Sequence, residues 1–119
     1  MPKGESGRII NVIRRINSLI NDEKVTVNIG TAATPKHITI VSANEHATKY
    51  GVTLEQAQRY IDNARIMFEQ GNRNLYISND GNATVLIENN RLISAYPKEK
   101  FSDGMKAIIE VLNDEGIFR

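Results

Sequence analysis

The only histidines of the 119-residue chain are His37 and His46. Histidine can act as an acid or a base near neutral pH. Cleavage of RNA without a metal needs both functions, because one group must take the proton of the ribose 2′-hydroxyl and another must protonate the leaving oxygen. Lys36 could hold the phosphate while its negative charge increases. We therefore treat these three side chains as candidate catalytic residues.

Hydroxyl groups and further cations could complete such a site. Ser94 and Tyr96 could orient a reacting oxygen, and we include them among the candidate catalytic residues. Lys49, Arg91 and Lys98 are candidate phosphate-binding residues. The alternative is structural, because histidines beside strands, lysines on helix faces and tyrosines near apolar stripes commonly pack or face water.

The tyrosines could also stack on RNA bases, as aromatic residues do in proteins that bind single strands. They are Tyr50, Tyr60, Tyr76 and Tyr96. The alternative for each is packing in the core or at its rim.

The sequence predicts neither a metal nor a cofactor. The chain has no Cys, which excludes disulfides, thiolate catalysis and cysteine-ligated zinc. The two histidines and Glu45 have no further strong ligand at a spacing typical of zinc sites, and the chain has neither a phosphate-binding loop motif nor a dinucleotide-binding motif.

Charge is nearly balanced, with 15 Lys and Arg against 14 Asp and Glu. Affinity for RNA would therefore have to come from a local concentration of charge. Residues 1–36 hold six basic and three acidic side chains and are one candidate. No apolar run reaches the length of about 20 residues needed to cross a membrane, and the first residues lack the basic, apolar and small-residue order of a signal peptide, so we expect a cytoplasmic protein without membrane contact.

Apolar residues spaced three and four apart predict helices over 6–21 and 102–114. A capping-box pattern at Ser42 and Glu45 predicts a short helix over 43–50. A second such pattern, at Thr53 and Gln56, predicts a longer helix that ends at Gly71.

Short β-branched or apolar runs predict strands at 25–29 and 36–41 and a three-stranded meander over 75–78, 83–88 and 91–96. We expect a single α+β domain over residues 1–119. Its antiparallel sheet would have four to five strands and helices packed on one face, so that the other face is free for a ligand. Helices on both faces would fit the same pattern.

A two-residue turn at Asn89-Asn90 would pair Glu88 with Arg91, and regular pairing from there assigns the faces of the meander. One face would then hold Val85, Ile87, Leu92, Ser94 and Tyr96.

Two sequence segments resemble known nucleases. Val27-Asn28-Ile29-Gly30 followed by Lys36-His37-Ile38 resembles the opening of nuclease domains of bacterial polymorphic toxins. The later order of helix, meander and a strand ending Ile93-Ser94-Ala95-Tyr96-Pro97 resembles phage and toxin nucleases of the barnase, EndoU and RelE-like superfamily. The resemblance covers roughly residues 25–98.

That resemblance implies a metal-independent endoribonuclease that attacks the adjacent phosphate with the RNA's own 2′-hydroxyl. It assigns His37 as an acid or base and Lys36 as a phosphate contact, with Ser94 and Tyr96 near the cleft. RNA is then the expected partner, whereas the existence of a cognate inhibitor or another protein partner stays open. The location would be cytoplasmic, or a target cell if the domain is delivered as a toxin.

Two alternatives remain open at this point. The domain could be a non-catalytic module of a phage or bacterium, accessory or immunity-like, that binds another protein. It could also be a homodimer whose Ile-rich face, residues 9–20, is buried between two copies. The sequence leaves open whether the domain is an enzyme.

Overall fold

The computed structural model describes residues 3–20, 25–29 and 38–118, with side chains from residue 9 onward in the first range. Lys36 and His37 lie outside the described residues. The elements, in chain order, are α1 (Lys3–Ile20), β1 (Thr26–Ile29), β2 (Ser42–Ala43), α2 (Leu54–Asn63), β3 (Ile66–Gln70), β4 (Arg73–Ile77), β5 (Ala83–Glu88), β6 (Arg91–Pro97), a 3-10 turn (Lys98–Lys100) and α3 (Asp103–Asp114).

The α+β class is confirmed, but the predicted antiparallel sheet of four to five strands is wrong. Within the described ranges the sheet has six strands in the order β1-β3-β4-β5-β6-β2. It is mixed, because β2 runs parallel to β6 while the other neighbours are antiparallel. The predicted meander is present as β4, β5 and β6.

Strand β3 lies in a segment that the sequence predicts as part of a helix. Thr53 does cap α2, with the reciprocal hydrogen bonds of a capping box to Gln56, but the helix ends at Asn63 and Ala64 is extended. Residues 66–68 are all buried, as expected of a strand covered on both faces. Gly71, which was expected to end the helix, instead has a φ of +58° in the tight turn between β3 and β4.

The predicted short helix over 43–50 is also wrong. Ser42 and Ala43 form β2 beside Arg91 and Leu92. The following residues form successive turns with hydrogen bonds between residues three apart, as from the Lys49 amide to the His46 carbonyl at 3.2 Å.

The predicted strand over 36–41 is not part of the sheet in its described residues, 38–41. Gln58 of α2 binds this segment instead. Its amide nitrogen donates to the Ile38 carbonyl at 2.9 Å, and its carbonyl oxygen accepts from the Ile40 amide at 2.8 Å. The segment therefore lies on the α2 side of the sheet.

Helices cover both faces of the sheet, so the prediction that they pack on one face is wrong. On one face α2 contributes Ala57 and Ile61 to a core that includes Met67 and Tyr76. On the opposite face α1 and α3 form a second core with β1, β3 and β4. Its fully or nearly fully buried members are Val12, Ile16, Val27, Ile66, Phe68, Ile77, Ile108, Val111, Leu112 and Ile117.

The Ile-rich face of α1 is used within the chain. Val12 and Ile16 have no exposed surface, because they pack in the core with α3. These two side chains therefore cannot form the homodimer contact that the sequence suggested for residues 9–20. Among the residues that the structure describes, no helix combines the length and the apolar character needed to cross a membrane.

A β-bulge in β6 changes the face assignment made from the sequence. Ile87 pairs with Leu92 as predicted, but Leu86 pairs with Ser94, so Ile93 is an extra residue. Since side chains alternate along a strand, one extra residue moves everything after it to the other face. Ser94 and Tyr96 therefore lie on the α1/α3 face and not with Leu92.

Candidate functional site

Two tyrosines meet at the end of β6. The rings of Tyr50 and Tyr96 have centroids 5.1 Å apart and are tilted by 35°, and both side chains are half-buried. The bulge at Ile93 gives Tyr96 its orientation. Since β2 pairs only with Arg91 and Leu92, the turns after β2 are free to bring Tyr50 to the far half of β6.

Two exposed lysines lie over the Tyr50 ring of this pair. The Lys49 ammonium lies 5.1 Å from the centre of the Tyr50 ring, and that of Lys100 lies 5.8 Å from it. Both distances are in the range of cation–π attraction, which contributes about 0.5–1 kcal/mol at exposed sites. We call Tyr50, Tyr96, Lys49 and Lys100 the tyrosine–lysine cluster.

The cluster borders a pocket of about 380 Å³, which we call the tyrosine pocket. Its polar lining comes from Thr84, Tyr96, Lys100 and Ser102, and its apolar lining from Leu75, Phe101 and Met105. The hydroxyl of Ser102 caps α3 by accepting a hydrogen bond from the Met105 amide at 3.2 Å. The pocket thus joins an aromatic wall, a cation and hydroxyl groups.

A second pocket, of about 360 Å³, adjoins the first through Phe101, which lines both. We call it the lysine pocket. It is lined by Asp80, Gly81, Asn82, Lys98, Phe101, Lys106, Ile109 and Asn113.

The turn at Asp80 forms one wall of the lysine pocket. The Ser78 hydroxyl donates to Asp80 Oδ1 at 2.7 Å, and the Asn82 amide donates to the same oxygen at 3.0 Å. Burial acts to raise the pKa of Asp80, but these hydrogen bonds outweigh it and hold the pKa below its ordinary value. The carboxylate is thus engaged by its own turn.

The structure brings together only some of the predicted site residues. Tyr96 and Lys49 lie in the tyrosine–lysine cluster, and half-buried Ser94 shares the face of Tyr96 two residues earlier on β6. His46 is exposed in the turns that lead to Tyr50.

Arg91 and Lys98 lie apart from the cluster. Arg91 begins β6 opposite Glu88, at the end of the strand away from Tyr96. Lys98 lines the lysine pocket. Lys36 and His37 belong to the part of the chain outside the described residues.

Of the four tyrosines, only two form a surface pair. Tyr76 has no exposed surface, and its burial, with the negative charge of Glu69, raises its pKa to about 12. Tyr60 packs against the core on the α2 face. No local pattern indicates Lys100, because this lysine follows the last strand while the Tyr50 ring that it approaches lies 50 residues earlier in the chain.

The N-terminal charge is partly neutralised within the fold. The Arg15 guanidinium lies 2.8 Å from the Glu115 carboxylate and 3.8 Å from that of Asp114. Arg15 therefore contributes less to a basic surface than the sequence suggested. Within the described ranges, no three His, Asp or Glu side chains are grouped so that they could hold a metal ion.

A scan against protein-family models, a search of curated proteins and a search of solved structures each found no match to this chain. The resemblance to the barnase, EndoU and RelE-like superfamily therefore stays a prediction.

Proposed function

We propose that this domain binds single-stranded RNA at the tyrosine–lysine cluster. The observation that carries the proposal is that the Tyr50 and Tyr96 ring centroids lie 5.1 Å apart and that two exposed ammonium groups lie within 6 Å of the Tyr50 ring centre. An aromatic wall accepts the face of an unstacked base, and each neighbouring cation can bind a phosphate. Stacking of one base contributes about 1–3 kcal/mol, measured by alanine substitution.

Single-stranded RNA fits this surface better than a duplex does. A base can lie on a tyrosine ring only when it has left the stack of its own strand, as in loops and ends. The hydroxyls of Thr84 and Ser102 in the tyrosine pocket can bond to base edges or to the 2′-hydroxyl. The near-neutral total charge makes these local contacts decisive.

The sequence extends the proposal from binding to cleavage. In that reaction the 2′-oxygen forms a bond to phosphorus while the bond to the 5′-oxygen breaks, leaving a 2′,3′-cyclic phosphate and a 5′-hydroxyl. A base takes the 2′-hydroxyl proton, and an acid gives a proton to the 5′-oxygen. His46 and His37 are the proposed proton carriers, and the hydroxyl groups of Ser94 and Tyr96 would orient the phosphate.

Binding is tested by fluorescence anisotropy of a labelled single-stranded RNA at low salt. Tyr50→Ala should weaken binding by about 5- to 150-fold, the equivalent of one lost stacking contact. Tyr60→Ala is the matched control, because it removes a half-buried tyrosine on the opposite face and should leave the affinity unchanged. Wild-type protein that binds no RNA, or equal binding by the Tyr50→Ala variant, would refute the proposal.

Cleavage is tested separately, by incubation with total RNA and with tRNA in EDTA. Products that form in EDTA and disappear in His37→Ala or His46→Ala would support the ribonuclease. Binding without cleavage by folded protein would leave an RNA-binding module and remove the catalytic assignment. Failure to bind RNA would favour the alternative of a protein-binding module.

A further inference from the structure

We infer that the lysine pocket holds a second phosphate of the same RNA strand, so that the bound strand passes over the 3-10 turn between the two pockets. The inference rests on the proposed function and adds the path of the strand and its minimum length. It assigns Lys106, Asn82 and Asn113 to the binding surface in addition to Lys98.

The first argument is position. The 3-10 turn of residues 98–100 places Lys100 at the tyrosine pocket and Lys98 at the lysine pocket. Phe101, only 9% exposed, forms the shared wall. An RNA strand with one base stacked in the tyrosine–lysine cluster would therefore reach the lysine pocket without leaving the protein surface.

The second argument is the chemistry of the lining. Lys98 and Lys106 supply two exposed ammonium groups, and the side-chain amide of Asn113 can donate hydrogen bonds to phosphate oxygens. The side-chain amide of Asn82 hydrogen-bonds to the Asp80 carboxylate and has a second N–H with which it can donate to a phosphate oxygen. Asp80 is the single carboxylate of the lining, and its Oδ1 already accepts from the Ser78 hydroxyl and the Asn82 amide. The lining thus carries an excess of positive charge.

The third argument is that the pocket wall is fixed before any ligand arrives. Gly81 has a φ of +76°, and a Cβ built there would lie 2.9 Å from the ring of Phe118. The amides of Asn82 and Ala83 both donate to the Ser78 hydroxyl, at 3.1 and 3.0 Å. A site built on such a wall needs little ordering when the phosphate binds.

The test is a series of RNA probes of increasing length, from adenosine monophosphate through oligoadenylates of two to six nucleotides. For wild-type protein we expect the affinity to rise at the length that first reaches the lysine pocket. Lys106→Gln should remove that rise while leaving binding of the mononucleotide unchanged. Lys106→Arg, which keeps the charge, should restore it.

Salt dependence gives an independent readout. Each phosphate neutralised on a single strand contributes about 0.7 to the slope of log K against log salt, so Lys106→Gln should lower the slope for the longest probe by about 0.7. If wild type and Lys106→Gln bind equally at 1 M salt, a slope difference of about 0.7 corresponds to roughly 8-fold weaker binding by the variant at 50 mM salt. Arg59→Gln on α2 is the matched control, because it removes an exposed cation from the opposite side and should change neither slope nor affinity.

The outcomes separate the two proposals. If Lys106→Gln binds every probe as wild type does while Tyr50→Ala still weakens binding, the lysine pocket carries no phosphate and the proposed function stands. If wild-type protein binds no probe of any length, both proposals are overturned. Thermal melting of each variant by circular dichroism verifies that it is folded, and Lys98→Gln provides a second substitution at an exposed position.

Discussion

Tyr76 should make the fold sensitive to alkaline pH. Its side chain is fully buried between the sheet and α2, and its pKa in the folded protein is about 12 against an ordinary value of 10.0. Because the folded state holds this proton more tightly than the unfolded state, the associated stability is fully present below pH 10 and is lost as the pH rises toward 12. Replacing Tyr76 by Phe removes the titrating group.

The size of the effect follows from the two pKa values. At pH 11 the unfolded chain has largely ionised this tyrosine and the folded chain has not, which lowers the free energy of unfolding by about 1.4 kcal/mol relative to pH 8. Every other ionisable group is common to the wild type and to Tyr76→Phe. The relevant quantity is therefore the difference in the free energy of unfolding between wild type and Tyr76→Phe, compared at pH 8 and pH 11.

Urea unfolding followed by far-ultraviolet circular dichroism measures that difference. Between pH 8 and pH 11 the wild type should lose about 1.4 kcal/mol more stability than Tyr76→Phe does. Absorbance of tyrosinate near 295 nm provides a second measurement, because the chain has no Trp and one of its four tyrosines should ionise last. Equal losses in the two proteins, or four tyrosines that ionise together before unfolding, would refute the assigned burial.

Two further predictions concern backbone geometry. Gly81→Ala should destabilise the fold by roughly 1–3 kcal/mol and lower its Tm, because the new Cβ would meet Phe118 and the residue would keep a positive φ; an unchanged Tm would contradict this account of the turn. Thr53→Ala should cost about 1 kcal/mol in urea unfolding, because α2 loses the hydroxyl that accepts from the Gln56 amide at 3.1 Å, whereas Thr53→Ser should retain most of the stability.

Local chemistry in the sequence predicted the start of α2 but not its end. Thr53 and Gln56 make the two hydrogen bonds that their spacing indicated. Beyond Asn63 the apolar residues Ala64 and Phe68 happen to continue the helical spacing, although Ile66 and Met67 between them are buried as well. A strand covered on both faces is continuously apolar, so its local pattern does not distinguish it from a buried helix.

The face of Tyr96 could not be predicted for a different reason. The predicted turn at Asn89 and Asn90 is confirmed, and both residues have the positive φ that their type tolerates. The bulge lies three residues later, at Ile93. Isoleucine is also favoured in regular strands, so this residue does not indicate a bulge. Its presence depends on how β6 packs between its neighbours and not on a local signal, and it decides which pocket Tyr96 lines.

The candidate site was only partly predictable because it joins distant segments. Tyr50 and Lys49 come from turns that follow β2, and Lys100 comes from the turn that follows β6. Their meeting requires the parallel pairing of β2 with β6, which no periodicity in the chain indicated. The chemistry of Tyr96 and Lys49 follows from their residue types, whereas their proximity depends on the fold.

The shortness of β2 has a consequence for self-association. A long exposed strand at the edge of a sheet offers unpaired amides and carbonyls to which another chain can add, and this favours aggregation. Here the edge beyond β6 is a strand of two residues, Ser42 and Ala43, and the turns that follow bring Tyr50 against the remainder of β6. The segment that places an aromatic ring at the candidate site thereby also shields this edge of the sheet from uncontrolled growth by strand addition.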